Sequence, residues 1–461
     1  MAISRSRVLL ALLGVLWICG AARPPASVAK AISQALREKD DRVRAQLLET
    51  ALRGVDSLAA ADAILTRLLP KARTPVDTEI GVYALSRMTD SEAVAAVGAF
   101  AQGKGTPLRR LEAIEALGRN DAIGASSALL ALVHAASVPI RVAAVAALGA
   151  RHEERQDIVL TEALDDADWR VRSAAIWALA RQGRDDVVPA LADRMRREDG
   201  RLVDDCADAL AQLTGRRLGA RPDGYMREWA ARTGQDAPEA PQWSASPPSI
   251  DSPLLRSRSR RVLIVLSTGE SMKDKVTPAT LSPAARASLL AAGEDLIDDY
   301  DSAKTKLDLA RVHAIAMLRS LRDGTHFDVA VYADSPTFAF GELVEASDRT
   351  RKKAESRIAR LSPGGGSNLS EMLVRAFDSK AKDPSLSPKA TAAGPDTIVL
   401  FSDGRLAAPG ITDRNQVVMG VRRWNRVRQI RFVVVSLQPS DDSVLGPLTS
   451  GPPVGVSLQL P

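Results

Sequence analysis

Cysteine, histidine and aromatic residues are all scarce in this 461-residue chain, which has two cysteines, four histidines and 4% aromatics. Cys19 lies in the apolar N-terminal segment, so once that segment is removed Cys206 stands alone and no internal disulfide can form. Cys206 falls within a helical apolar pattern and reads as a buried structural thiol. His134, His152, His313 and His326 are isolated and show no metal-ligand spacing. There is no Gly-x-Ser-x-Gly elbow, because Gly269-Glu270-Ser271 lacks its closing glycine. Gly364-Gly365-Gly366-Ser367 has no following Lys-Ser/Thr and is not a phosphate loop. The net charge of +6 is spread along the chain rather than gathered in one patch. Low aromatic content favours Ala-packed helices over an aromatic-rich cleft.

Long apolar runs are also missing, apart from Val8 to Ala22 behind Arg5 and Arg7. These 15 residues fall short of the roughly 20 that span a bilayer. Small residues follow at Gly20-Ala21-Ala22 and Ser27-Val28-Ala29, so residues 1–29 read as a secretory signal peptide. The expected location is exported: periplasmic, cell-envelope or extracellular, with no transmembrane anchor in the mature chain.

What is abundant is repetition. Leu52, Leu85, Leu117, Leu148, Leu179 and Leu210 recur every 31 to 33 residues. Eleven residues before each stands Asp41, Thr74, Thr106, Ser137, Asp168 or Asp199, mostly side chains that accept hydrogen bonds from a free helix start. Pro75 and Pro107 follow directly, where proline is pre-organised for a first helical turn. Six copies in one phase predict stacked helix pairs over residues 30–215. The segment resembles HEAT repeats, with Ile140-Arg141 and Val171-Arg172 matching that family's Val-Arg signature. A helix holding Tyr225 and Trp229 is expected to cap the stack and complete an all-α solenoid over 30–235. Five prolines (Pro238, Pro241, Pro247, Pro248 and Pro253) and many serines in residues 236–259 predict a partly extended linker.

From residue 260 to 461 strands and helices alternate, which predicts a mostly parallel, doubly wound sheet. Continuous apolar runs at Val262–Leu266 and Ile398–Phe401 suit buried parallel strands, and ligands bind beyond the carboxyl ends of such strands. Three loops gather there: Ser267-Thr268-Gly269-Glu270-Ser271, Gly364-Gly365-Gly366-Ser367-Asn368 and Ser402-Asp403-Gly404. With Lys306-Leu307-Asp308-Leu309-Ala310 and Phe327–Ala333, they resemble the von Willebrand factor A domain and its metal-ion-dependent adhesion site. The resemblance implies metal ligands at Ser271, Ser367 and Asp403. It also shows what is lost, because Ser267 stands where the family has Asp and Gly269 where it has the first Ser. One carboxylate and two hydroxyls make a weak set for Mg2+ or another divalent cation, although Glu270 and Asp274 lie close enough in sequence to compensate. No other cofactor is expected.

The chain as a whole reads as multidomain, an all-α HEAT-like solenoid followed by an α/β von Willebrand factor A domain. The function expected is a non-enzymatic scaffold or adaptor that binds protein partners. A hydrolase or lyase using the array as a platform is the competing reading, and it requires convergent acid and base groups that the sequence does not display. Nucleic acid is not an expected partner: Arg141, Arg170, Arg172 and Arg201 are interspersed with Asp165, Asp166 and Asp168. The basic run Arg422, Arg423, Arg426, Arg428 and Arg431 is expected on a solvated helix face.

Overall fold

The computed structural model describes residues 25–103, 106–151, 156–236, 243–248, 250–252, 255–378, 394–437, 444–451 and 453–459. Residues 1–24 of the predicted signal peptide (1–29), and Pro238, Pro241 and Pro253 of the predicted linker, lie outside these residues. Compact packing divides the chain into one unit up to Ala128 and a second from Leu129 onward. No helix among the described residues is long and apolar enough to cross a membrane.

The first unit is helical: α1 (Pro25–Ala35), α2 (Asp41–Leu52), α3 (Leu58–Ala63), α4 (Pro75–Ser86), α5 (Ser91–Gln102), α6 (Pro107–Gly118) and the start of α7 (Ile123–Leu130). The repeating leucines Leu52, Leu85 and Leu117 are buried. The cap of α2 is Asp40, one residue before the expected Asp41, and its carboxylate accepts from Arg42 N and Val43 N at 2.9 and 3.0 Å. Thr74 forms a reciprocal capping box with Asp77 on α4. The same Asp77 receives the fully buried Arg44 guanidinium at 3.0 Å, which ties α2 to α4.

The second unit opens with further helix pairs: α8 (Val138–Gly149), α9 (Gln156–Glu162), α10 (Trp169–Gln182), α11 (Val188–Arg197), α12 (Arg201–Thr214) and α13 (Pro222–Thr233). The Val-Arg signature has a physical role here. Arg141 reaches forward to Asp166 at 2.8 Å and Arg172 to Glu198 at 2.6 Å, each also bonding carbonyls of the preceding turn. Arg170 pairs with Asp168 at 2.8 Å, so these arginines are neutralised within the array. Gly149 lets α8 approach α10 closely, since a Cβ there would meet Ala178 Cβ at 2.3 Å. Gly200, with φ of 62°, rather than Asp199, caps α12. Tyr225 is buried on α13 and donates to Ala207 O at 3.0 Å, as a stack-closing helix requires. Cys206 is fully buried, and burial pushes its thiol well above the ordinary range.

The described part of the Pro/Ser-rich stretch is held against the array. Trp243 Nε1 donates to Arg196 O at 2.9 Å, β1 (Ile250–Asp251) pairs antiparallel with β2 (Arg256–Ser257), and Arg258 binds Asp204 at 2.7 Å. A sheet follows in the order β5-β4-β3-β7-β8-β9, with β6 also on β4. Its strands are β3 (Arg261–Ser267), β4 (His326–Tyr332), β5 (Pro336–Phe338), β6 (Val344–Glu345), β7 (Thr397–Ser402), β8 (Arg431–Ser436) and β9 (Val456–Gln459). All neighbours pair parallel except β5 and β6, which return antiparallel on β4. β9 is preceded by a short helix, α20 (Leu445–Thr449).

Helices cover both faces, as a doubly wound sheet requires. Val262, Ile264 and Leu266 of β3 pack with α14 (Pro283–Ala292), α15 (Asp295–Asp301), α16 (Lys306–Ser320) and α17 (Asp348–Ala359). Leu263 and Val265 face α18 (Leu369–Asp378), α19 (Arg414–Arg428) and α20. Alternate residues of one strand thus feed two cores.

The last array helices and the sheet are joined by buried charge. Arg201 on α12 donates to Gln429 O at 2.7 Å and to Ser173 Oγ at 3.1 Å, and lies 3.2 Å from Asp205. Arg431 on β8 contacts Asp208 and approaches Asp205 to 3.6 Å. Gln429 caps α19 in the left-handed region, φ 55°, which turns its carbonyl toward Arg201. Arg431 and Arg428 are therefore buried rather than on the solvated helix face expected for that basic run.

Candidate functional site

β3 sends its chain to β4 on one side, and β7 lies on the other, so the topological switch falls at the carboxyl ends of β3 and β7. Open α/β sheets place binding sites there. Ser267 ends β3, Tyr332 ends β4 and Ser402 ends β7, all buried. The Tyr332 hydroxyl is 3.0 Å from Ser402 Oγ. Burial pushes Tyr332 up to about 12, against the opposing effect of the Ser402, Ser267 and Ser367 hydroxyls, while Asp403 raises it further. The three loops identified from the sequence do converge.

Their backbones are stitched together. Glu270 N donates to Gly365 O at 3.0 Å and Gly364 N to Thr268 O at 2.8 Å. The glycines permit this approach: a Cβ on Gly269 would meet Gly366 O at 2.5 Å, and one on Gly366 would meet Ala408 O at 1.8 Å. Asp334 Oδ1 accepts from Gly366 N at 2.7 Å, and Asn368 Oδ1 accepts from Glu371 N to start α18.

The predicted ligands behave differently from one another. Asp403 and Ser367 are both buried at the loop junction. Ser367 Oγ donates to Arg405 O at 2.7 Å, and Asp403 Oδ1 accepts from Arg405 N at 3.3 Å. Ser271 sits on the short 3-10 turn Glu270–Lys273, and no hydrogen bond joins its hydroxyl to Ser367 or Asp403. Glu270 turns outward to Lys273 at 2.6 Å, whereas Asp274 turns inward.

A residue that the pattern of ligands does not reveal occupies the centre. Lys306, the first residue of α16, places Nζ 3.2 Å from Asp403 Oδ2 and 2.9 Å from Asp274 Oδ2. Its side chain is 6% exposed and that of Asp403 1%. Lys306 N also donates to Asp274 O at 3.1 Å, so main chain and side chain grip the same residue. The Lys306 ammonium holds the Asp274 carboxyl below the usual range, with Arg405 adding to the effect. Arg405 lies over the outside of the pair, 3.3 Å from Asp274 and 3.9 Å from Asp403. Position gave the one signal: a cation in the first turn of a helix opposes the helix dipole and needs a local anion to justify it.

Residues 125–211 and 158–233 match HEAT repeats, and residues 296–448 match the von Willebrand factor type A domain. The chain therefore carries HEAT repeats followed by a von Willebrand factor A domain. The similarity extends to the inter-alpha-trypsin inhibitor heavy chain H1 of Sus scrofa, 29% identical over 112 residues. That alignment covers 23% of this chain and 12% of the pig protein. Among solved structures, a von Willebrand factor type A protein from Catenulispora acidiphila aligns at 16% identity and a TM-score of 0.24, over 45% of this chain and 40% of that one. The Deinococcus radiodurans RO (RSR) protein aligns at 12% identity and a TM-score of 0.25, over 100% and 91%. HEAT repeats and von Willebrand factor A domains are interaction modules, and the converged loops lie at the strand ends of the second.

Proposed function

We propose that this protein is an exported scaffold that binds protein partners through the strand-end loops of its von Willebrand factor A domain. The observation that carries this reading is the fixed presentation of those loops. Arg201 and Arg431 lock the opposite end of the sheet to α12, so the domain is held on its helical platform by buried polar contacts. The loop end then points away from that anchorage with side chains suited to recognition. Arg405 is half-exposed against Asp274, Ile411 is 44% exposed where its backbone N donates to Ser370 Oγ, and Glu270 and Lys273 are exposed on the first loop. An apolar residue within a mixed-charge rim is the composition of a modest protein interface. Export rests on Arg5, Arg7 and the apolar run behind them. Non-enzymatic action is the reading favoured by the two module types and by the engagement of Lys306, Asp403 and Asp274 with one another at the strand ends.

The test is crosslinked capture from a cell-envelope fraction with the full chain, alongside Arg405→Glu and Ile411→Asp. Partners held by wild type and lost by both loop variants, but retained by a change at the exposed Tyr83, would support the reading. Identical capture by all four chains would sink it.

A further inference from the structure

We propose that the Lys306 ammonium is the resident cation of this domain, standing where the related adhesion domains hold a divalent metal, so that the loops keep their shape without one. The inference stands apart from the identity of any partner. Four observations converge on it. Asp403, the carboxylate of the third loop, already receives Nζ of Lys306 at 3.2 Å in a buried setting. A divalent ion on that carboxylate would sit against a fixed positive charge from which little water separates it.

The second observation is steric. The family's first serine would stand at position 269, and Gly366 O fills the space that its Cβ requires, 2.5 Å away. The loops have closed over the room that a hydroxyl ligand needs. Third, Ser367 directs its hydroxyl proton at Arg405 O, and Ser271, on a separate turn, makes no hydrogen bond to Asp403, so neither hydroxyl expected as a ligand engages that carboxylate. Magnesium requires a near-octahedral oxygen shell at about 2.0–2.1 Å, and this set supplies one carboxylate already in use. Among the described residues no group of three acidic, histidine or cysteine side chains is placed to hold an ion.

Fourth, Lys306 is held deliberately. Its backbone and side chain both bond Asp274, at 3.1 and 2.9 Å, and the α16 start is fixed by the Thr305–Asp308 capping box. An ammonium offers three donors, and Asp403 and Asp274 take two of them. The charge therefore bridges the end of β7 to the chain entering α16, the kind of tie between loops that a bound ion would otherwise make.

Mn2+ titration of the EDTA-treated full chain, followed by the electron paramagnetic resonance signal of free Mn2+, tests this directly. All Mn2+ should stay free up to about 1 mM, the weak end of extracellular cation sites, and the melting midpoint should be the same in EDTA and in Mg2+. Lys306→Met should lower the midpoint of the α/β domain by roughly 6–20 °C. A saturable Mn2+ site in wild type that Asp403→Asn abolishes would overturn the proposal. A Lys306→Met chain that melts with wild type would overturn it equally, since the ammonium would then hold nothing together. Should Lys306→Met fail to fold, the wild-type titration with its Asp403→Asn control decides alone.

Discussion

Removing the charge of Lys306 while keeping its length gives the sharpest stability test. In Lys306→Met the stem still fills its channel, but the Asp403 carboxylate, 1% exposed, loses its buried partner. One neutral donor remains, Arg405 N at 3.3 Å, and the nearest cation is Arg405 Nε at 3.9 Å on a half-exposed side chain. Breaking a buried pair from one side costs about 3–5 kcal/mol, because the surviving charge is stranded. Asp274 is 43% exposed and re-solvates, so its share is under about 1 kcal/mol. Asp403→Asn should cost less, about 1–2 kcal/mol, since the amide oxygen keeps one of the two hydrogen bonds, no buried charge is stranded at position 403, and Lys306 keeps Asp274. The double variant Lys306→Met/Asp403→Asn should then be more stable than Lys306→Met alone. Hydrogen exchange of the β3 and β7 amides reads these differences locally, without assuming that a multidomain chain unfolds in one step. A loss below about 1 kcal/mol in Lys306→Met, or no recovery in the double variant, would refute the stranded-charge reasoning.

Two buried groups should give the α/β domain opposed pH dependences. Burial pulls His313 from 6.5 down to about 4, so the unfolded chain binds the proton first and stability falls by roughly 3 kcal/mol as pH drops through that window. Burial pushes Asp328 from 3.8 up to about 6 against three backbone N–H bonds, so the folded chain binds the proton first and stability rises by roughly 3 kcal/mol as pH drops from 6 toward 3.8. Urea midpoints at a series of pH values should show His313→Leu gaining on wild type in acid and Asp328→Asn losing ground; parallel curves would contradict both assignments. Arg201→Leu leaves the fully buried Asp205 with the Ser173 hydroxyl at 3.2 Å and Arg431 at 3.6 Å, and should cost about 3–5 kcal/mol and split array and sheet into separate calorimetric transitions. Gly149→Ala forces α8 away from Ala178 and should cost about 1–3 kcal/mol by thermal circular dichroism, and no loss would mean that the helices are not in contact.

The parts of the fold that repeat or alternate were readable from the chain. Leucines in one phase marked the array because each fills the same place in a stack, and Leu148, Leu179 and Leu210 are fully buried. The apolar runs of β3 and β7 marked central strands because both faces of the sheet are covered. What escaped notice depends on contacts between distant residues. Arg431 looked like one of a run of surface arginines, and only the packing of β8 beside α12 brings it to Asp208. β9 was hidden because a four-residue edge strand carries too short a pattern, and its partner β8 supplies the register. At the site, the converging loops were legible from their glycines and hydroxyls. Lys306 was not, because its partners lie 32 and 97 residues away and its own neighbours read as an ordinary helix start.

That central lysine changes what the strand-end loops can recognise. A metal held by protein oxygens keeps open coordination positions, and a partner's carboxylate can complete them directly. An ammonium clasped by two carboxylates has no such vacancy, and its charge is already balanced where it lies. Affinity for a partner must then come from the rim, from Ile411 burying its apolar surface and from Arg405, whose fork can leave Asp274 for an incoming carboxylate. The two routes differ in their response to solution conditions. Binding through a bridging ion is abolished by a chelator and tolerates moderate salt. Binding through an exposed guanidinium is indifferent to chelator but weakens as salt screens it, over a Debye length of about 10 Å at 0.1 M. Partner capture that survives EDTA and fades with added NaCl, and that Arg405→Glu abolishes while Arg405→Lys only weakens, would therefore locate recognition on the rim rather than at the loop junction beneath it.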